Sequence, residues 1–596
     1  MPIQIKEDIT TVDSTSFDYI FEHNVTFKPS SVKGLIRCNV YRPRNTERAP
    51  VIMTYGPYGK DTHTGEFLPH AWNDINPIQQ SEHSCFEVPD PKYWTAQGYV
   101  VVRADEIGIG QSPGFLDTMS ASTSDAFAEL IEWAANQPWS NGKVGLLGIS
   151  YFAGSQWRVA ARRPRGLACI IPYEGMADYY RDRCRHGGIL LLPFLQFWMG
   201  KQVRSNQYGL ADRSKNGRGP NTIEGDLTEE ELRQNRTDQD VDNLKAFFRD
   251  DEYFASRDYN LEDIEVPLLS FGNWSNLVVH LRGNIEGYML AGSRYKFLRV
   301  GSGRHDLPFY SEVEVEAQKS FLSAFLKDDD YAGWTKGQQP RITYQARKGP
   351  IDHKSIESAS GNIYAWANAA EWPLPNTKYT KYYLSPDLKW TPDDPHIEIH
   401  ERLSYPALTT LENPFCHRFT TAPFQQEVEI TGHIVAHVNL SVTRKPGGTV
   451  PKDIDVFFIM RHWNADGTER VFTGTIGDAA AVTRGCQRLS LRKVNKEHPN
   501  HREYRPYRDY FSTDVLPVIP GEVYPVDVEI WPTNTVVLPG EKISIEISGG
   551  DTPGIGPFVH EGGERSIERF GGINHLHFGP NHSNYVTLPI IPRYYN

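Results

Sequence analysis

Lys143-Val144-Gly145-Leu146-Leu147-Gly148-Ile149-Ser150-Tyr151-Phe152-Ala153-Gly154 is the stretch on which the fold turns. A short apolar strand runs directly into Gly-Ile-Ser-Tyr, and a helix-like segment follows. This reads as a nucleophile elbow, where a serine sits on a sharp strand-to-helix turn and small neighbours let its hydroxyl project from the sheet's top edge. The common form is G-x-S-x-G. Here Phe152 follows Tyr151, and the small residues Ala153 and Gly154 come after it.

Upstream, Leu35 to Tyr41, Val51 to Thr54, Tyr99 to Ala104 and Val144 to Leu147 have strand composition separated by turn residues. The last three are short, nearly continuous apolar runs, as expected of strands buried on both faces of a largely parallel sheet. Between the last two, Ala126, Phe127, Leu130, Ile131 and Ala134 recur at helical spacing, which gives a β-α-β order. Downstream the pattern becomes helical and charged. Thr228-Glu229-Glu230-Glu231 has the form of a capping box, and Gly217-Arg218-Gly219-Pro220 that of a loop. Strand character returns at Val266 to Phe271 and at Phe297 to Val300, and a helix is predicted over 311–326.

Beyond about residue 340 the hydrophobic period becomes two. Ile434, Ala436, Val438, Leu440 and Val442 alternate with polar residues, as do Val526, Val528 and Ile530, then Ile543, Ile545 and Ile547. Pro520-Gly521 and Pro539-Gly540 punctuate these runs, the signature of an antiparallel β-sandwich, here a jelly roll. The expected fold is therefore an α/β-hydrolase domain (1–155 and 264–335) with an inserted helical cap (156–263), plus a C-terminal jelly-roll β-sandwich (340–596).

With 596 residues the chain is too long for one core. Its net charge of −12 and the lack of a Lys/Arg stripe argue against nucleic acid as a partner. The first ten residues are polar, without a secretory h-region. The apolar stretch Gly188 to Met199 is too short to span a membrane and is broken by Pro193. Six cysteines follow neither metal-ligand spacing nor a disulfide framework. The expectation is a cytoplasmic chain with reduced thiols, no metal and no organic cofactor, and with a homo-oligomer left open.

A serine hydroxyl needs a base to take its proton and a third group to orient that base. In an α/β-hydrolase these arrive in the chain order Ser, acid, His, each on a loop after a strand. Ser150 is the candidate nucleophile. His305 follows the strand Phe297 to Val300 through Gly301-Ser302-Gly303-Arg304, where the base belongs. The acid should follow Val266 to Phe271, yet the turn reads Gly272-Asn273-Trp274-Ser275-Asn276-Leu277, without a carboxylate. Asn276 can orient an imidazole through its amide oxygen but supplies no charge; Asp306 is the alternative. For the oxyanion, the candidates are the backbone N–H of Tyr151 and the phenol of Tyr58 in the loop after an early strand.

Five segments stand in order: Gly56-Pro57-Tyr58-Gly59-Lys60-Asp61, Phe86-Glu87-Val88-Pro89-Asp90-Pro91, Gly108-Ile109-Gly110-Gln111-Ser112-Pro113-Gly114, Gln137-Pro138-Trp139-Ser140-Asn141-Gly142 and Gly148-Ile149-Ser150-Tyr151. Together they resemble the CocE/NonD serine hydrolases, the group of the cocaine esterase, α-amino acid ester hydrolase and X-Pro dipeptidyl-peptidase types. The resemblance runs over nearly the whole chain, to the ending Tyr585-Val586-Thr587-Leu588-Pro589-Ile590-Ile591-Pro592. It implies Ser150 as nucleophile, His305 as base, and Tyr58 and Tyr151 at the oxyanion, with the jelly roll walling the site. Two departures stand out: Asn276 replaces the usual Asp after Trp274-Ser275, and Ile107 replaces the Arg that commonly follows Asp105-Glu106.

The expectation is a serine esterase or amidase acting on a small ester or amide through an acyl-enzyme on Ser150, with acyl transfer as a variant. Against it stand noncovalent cyclisation or isomerisation in the same pocket, an X-Pro-type dipeptidyl-peptidase, and a binding protein that uses the jelly roll.

Overall fold

The computed structural model describes residues 8–218 and 225–592. The first seven residues, the Gly219-Pro220 half of the loop expected at 217–220, and 593–596 lie outside the described residues. Two sheets organise the chain.

The first has eleven strands: β1 (Thr11–Asp13), β2 (Tyr19–Phe27), β3 (Ile36–Pro43), β4 (Ala49–Gly56), β5 (Val100–Asp105), β6 (Ser140–Ile149), β7 (Leu167–Tyr173), β8 (Leu268–Asn273), β9 (Lys296–Gly301), β10 (Ile342–Gln345) and β11 (Trp366–Ala369). Their spatial order is 1-2-3-5-4-6-7-8-9-10-11. The block from β5 through β10 is parallel, and antiparallel strands close both edges.

The apolar run of β6 is buried on both faces because its side chains alternate between two cores. Val144 and Leu146 join Val51, Met53 and Val102 on one side; Leu147 and Ile149 join Ile52, Ile171 and Tyr173 on the other. Helices α1 (Ala121–Ala135), α2 (Tyr151–Ala160) and α3 (Leu281–Leu290) cover the first face through Phe127, Leu130, Trp157 and Ile285. Helix α4 (Glu312–Leu326) covers the second through Phe321 and Leu322. The Ser120 hydroxyl caps α1 by accepting the Thr123 N–H.

The cap is smaller than the span expected for it. Residues 156–160 finish α2, and Leu167–Tyr173 is a strand of the main sheet, paired between β6 and β8. Arg162, Arg163 and Arg165 just before it, and Pro172 within it, hide this strand in the sequence. The capping box forms as read: the Thr228 hydroxyl accepts the Glu231 N–H, and the Glu231 carboxylate accepts the Thr228 N–H.

The second sheet is antiparallel, with twelve strands among the described residues. Val428–Arg444 pairs with Tyr524–Val537 through a register shift between Gly432 and Ile434. The alternating residues that predicted a sandwich, Ile434 to Val442, Val526 to Ile530 and Ile543 to Ile547, line one apolar core. The fold is the expected α/β hydrolase with a cap and a C-terminal β domain.

Buried ion pairs join cap to β domain. Glu564 accepts from Arg185 of the cap at 2.9 Å and from Arg488, whose guanidinium also meets Asp455 at 2.8 Å. The β domain also reaches the catalytic side of the first sheet. Arg484 donates to the Leu277 carbonyl at 2.9 Å, and the His305 N–H donates to the Thr475 carbonyl at 3.0 Å.

Candidate active site

Ser150 sits between β6 and α2 with φ 59° and ψ −114°, a left-handed conformation that a serine adopts only under constraint. The turn is tight because Gly148 has no side chain: a Cβ there would lie 2.7 Å from Phe152 Cβ. Phe152 replaces the usual small residue without a clash because Gly56 leaves room for its ring; a Cβ on Gly56 would lie 2.8 Å from Phe152 Cε1. The Ser150 N–H donates to the carbonyls of Tyr173 and Glu174, both at 3.1 Å, which ties the elbow to the end of β7.

The group within hydrogen-bond distance of the Ser150 hydroxyl is His280. Its Nε2 lies 3.2 Å from Ser150 Oγ, and both residues are buried. His280 precedes α3, four residues after Asn276. Burial, reinforced by the neighbouring charge of His305, holds its pKa well below the ordinary histidine value. The ring enters the resting site neutral.

Asn276 lies behind His280. Its Nδ2 donates to His280 Nδ1 at 2.7 Å and to Glu174 Oε2 at 2.8 Å, and it lies 3.3 Å from His305 Nδ1. Asn276 Oδ1 is buried without a hydrogen-bond partner. With Nδ1 accepting, the ring proton of His280 occupies Nε2 and faces Ser150.

His305, where the sequence argument put the base, stands beside His280 with the rings stacked at 4.8 Å and 7°. Its Nδ1 lies 2.8 Å from Glu174 Oε2 and its Nε2 3.2 Å from Glu87 Oε1. Burial alone would lower its pKa, but Glu174 and Glu87 override that and hold it up at about 10. His305 is thus an imidazolium between the Glu174 and Glu87 carboxyl groups. Burial raises Glu87 to about 7 against the pull of His305. Glu174, fully buried with φ 47°, also accepts from Asn273 Nδ2 at 3.1 Å. Asp306 pairs with Arg304 at 2.6 Å.

On the other side of Ser150, the Tyr58 phenol accepts from Trp198 Nε1 at 3.0 Å. The Tyr151 N–H opens α2 next to the nucleophile. The Tyr151 phenol turns inward instead, donating to Glu106 Oε2 at 2.7 Å. Burial pushes Glu106 up to about 8. This carboxyl lies in the stretch where an Arg is commonly found. Tyr58, Phe86, Phe152 and Trp198 form an apolar wall. A cavity of about 440 Å³ between the cap, α3 and residues 498–511 lies apart from Ser150.

The structure thus brings Ser150, Tyr58 and Tyr151 together, and Asn276 with His305, but the contact from serine to imidazole passes through His280. Sequence reasoning missed His280, Glu174 and Glu87. The one available signal was the Asn276–His280 spacing of four, which puts two side chains on one side of a helical turn. Among the described residues, Glu174, His280 and His305 are the group that could hold a metal ion, with ligand atoms within 4.8 Å of one another. No helix among the described residues is long and apolar enough to cross a membrane.

Residues 34–306 match the X-Pro dipeptidyl-peptidase (S15 family), and residues 333–587 match the X-Pro dipeptidyl-peptidase C-terminal non-catalytic domain. A cocaine esterase of a Rhodococcus species is 23% identical, over 93% of this chain and 96% of its own. The crystal structure of a CocE/NonD family hydrolase from Staphylococcus aureus superposes with a TM-score of 0.79 at 25% identity, covering 96% of this chain and 94% of that one. An α-amino acid ester hydrolase shares the fold, with a TM-score of 0.65 at 14% identity over 99% of this chain and 100% of that one. With an elbow serine, an adjacent imidazole and both domains matched in order, this chain belongs to the CocE/NonD family of serine hydrolases.

Proposed function

We propose that the protein hydrolyses a small ester or amide through an acyl-enzyme on Ser150, with His280 as the base that meets the nucleophile. The observation that carries this reading is the strained elbow serine with His280 Nε2 at 3.2 Å from its Oγ. His280 takes the hydroxyl proton as Ser150 attacks the carbonyl carbon. The Tyr58 phenol and the Tyr151 N–H donate to the oxyanion. His280 returns the proton to the leaving group, and water then releases the acyl group. The aromatic wall of Tyr58, Phe86 and Trp198 favours an apolar or aromatic acyl or leaving group. An ester substrate is in keeping with the cocaine esterase relative.

His280 acts as a base only when its proton is on Nδ1, which needs an acceptor at Asn276. That acceptor is Oδ1, reached by turning the amide over. In the other orientation, with Nδ2 toward His280 Nδ1, the ring donates to Ser150 instead. This second arrangement favours the alternative reading, noncovalent acid–base chemistry with Ser150 as a polar contact.

Intact-mass labelling with a fluorophosphonate separates the two. A single adduct on the wild type, absent from Ser150→Ala, supports the acyl-enzyme reading. No adduct on folded protein that still turns over a substrate overturns it.

A further inference from the structure

We propose that Glu174, His280 and His305 form a binding site for a zinc-type divalent metal ion, and that filling it switches Ser150 off. Two imidazole nitrogens and one carboxylate oxygen are the donor set that zinc takes in hydrolytic sites. Here His280 Nδ1, His305 Nδ1 and Glu174 Oε2 lie within 4.8 Å of one another. All three lie close to one neutral group, the Asn276 amide nitrogen, at 2.7, 3.3 and 2.8 Å. A metal at about 2.0–2.2 Å from each needs an inward shift on the order of 1 Å and displacement of that amide.

The remaining atoms of the three side chains are tied down as metal ligands usually are. His305 Nε2 meets Glu87 at 3.2 Å, His280 Nε2 meets Ser150 at 3.2 Å, and Glu174 Oε1 accepts from Asn273 at 3.1 Å. Such outer contacts fix ring orientation and direct the free donor atom inward. The supports are the ends of adjacent core elements: Glu174 follows β7, His305 follows β9, and His280 precedes α3. The orphaned Asn276 Oδ1 completes the set. Turned inward, its carbonyl becomes a fourth oxygen donor and gains the partner it lacks. The proton that His305 shares with Glu174 leaves as the metal enters.

The consequence for Ser150 rests on the acyl-enzyme reading above. A metal on His280 Nδ1 leaves the ring proton on Nε2, pointed at Ser150 Oγ. The ring then has no lone pair to accept the serine proton. This is control by occupancy of a site one residue behind the nucleophile.

The test uses the full chain stripped with a chelator. Titration with Zn2+ is followed by calorimetry, and Co2+ by its visible ligand-field bands. One equivalent is expected at the site, at least about tenfold weaker in Glu174→Gln and His305→Ala and at least tenfold tighter in Asn276→Asp. Zn2+ should block fluorophosphonate labelling and a chelator should restore it. Binding that is equal in wild type and all three variants, or absent up to 100-fold molar excess, overturns the site. If Glu174→Gln or His305→Ala fails to fold, Asn276→Asp decides: unchanged affinity in that variant also overturns it. Should the wild type never label, the acyl-enzyme reading and the switch fall, while the Co2+ bands and their loss in Glu174→Gln still decide the metal site.

Discussion

Asn276→Asp puts a carboxylate where the amide now stands, and its effect follows from two distances. The new oxygen would lie about as far from Glu174 Oε2 as the amide nitrogen does, 2.8 Å. Two unit charges at that separation repel by about 6 kcal/mol at an effective dielectric of 20, which is worth roughly four pKa units. The pair therefore keeps one proton at neutral pH, as close carboxylate dyads do. The charge of the buried cluster then stays as in the wild type, and His305 keeps its partners. What changes is the acceptor at His280 Nδ1. A carboxylate oxygen 2.7 Å away holds Nδ1–H and frees the Nε2 lone pair toward Ser150. Replacing Asp by Asn in a Ser-His-Asp triad costs about four orders of magnitude by fixing the wrong tautomer. The reverse change should recover about 10²–10⁴ in the second-order rate of fluorophosphonate labelling and in kcat/KM for an activated ester. Labelling is followed by intact mass at fixed pH, with Ser150→Ala as the blank and a melting curve to show that the fold survives. A folded Asn276→Asp protein that labels no faster than wild type would refute the tautomer argument and mean that Asn276 already presents Oδ1 to the ring.

His280→Ala should lower labelling by at least about 10³, whereas His305→Ala should chiefly destabilise, by about 3–5 kcal/mol in urea unfolding, because Glu174 and Glu87 lose their shared cation. Equal kinetic losses with unchanged stability in both variants would reverse the two roles. Tyr58→Phe removes one oxyanion donor and should cost about 10²–10³ in kcat with KM little changed, measured on the substrate found by ester screening. Glu564, between Arg185 and Arg488, is held at about 2 against the ordinary 4.5, chiefly by the arginines overcoming burial. The sign follows from that depression: its contribution is fully present above pH 4.5 and is lost as pH falls toward 2. Its size is about 3 kcal/mol, so the stability gap between wild type and Glu564→Gln should narrow steadily from pH 5 to pH 3 in denaturant titrations.

Much of the architecture was legible because it rests on local periodicity. The doubly buried strands Val51 to Thr54 and Val144 to Leu147, and the period-two runs of the β domain, have patterns that only their structures satisfy. Ser150 was legible for a related reason, since an elbow needs strand, glycine and helix in immediate succession. β7 was not, because Pro172 and three preceding arginines disguise a strand that tertiary burial stabilises. His280 was hidden in Leu277-Val278-Val279-His280-Leu281, where an apolar neighbourhood makes a histidine look like core filling. Glu174 and Glu87 were hidden by distance along the chain: Glu174 meets His305 across 131 residues, and no local pattern records that meeting.

On the acyl-enzyme reading, the triad carboxylate is displaced, not lost. In the expected arrangement a single acid after β8 would hold the base and offset its charge. Here those tasks are divided: Asn276 touches the ring, and Glu174 at the end of the neighbouring strand supplies the negative charge one bond further away. A carboxylate moved back in this way no longer chooses the tautomer of His280 directly; it does so through the orientation of a neutral amide. His305 pairs with both Glu174 and Glu87, and on the acyl-enzyme reading this leaves the orientation of the neutral Asn276 amide as the soft element of the site. Whatever turns the amide, such as the proposed metal ion at its nitrogen position, reaches Ser150 through His280. On the acyl-enzyme reading, an Asn behind the base makes the readiness of Ser150 depend on what occupies the space behind His280.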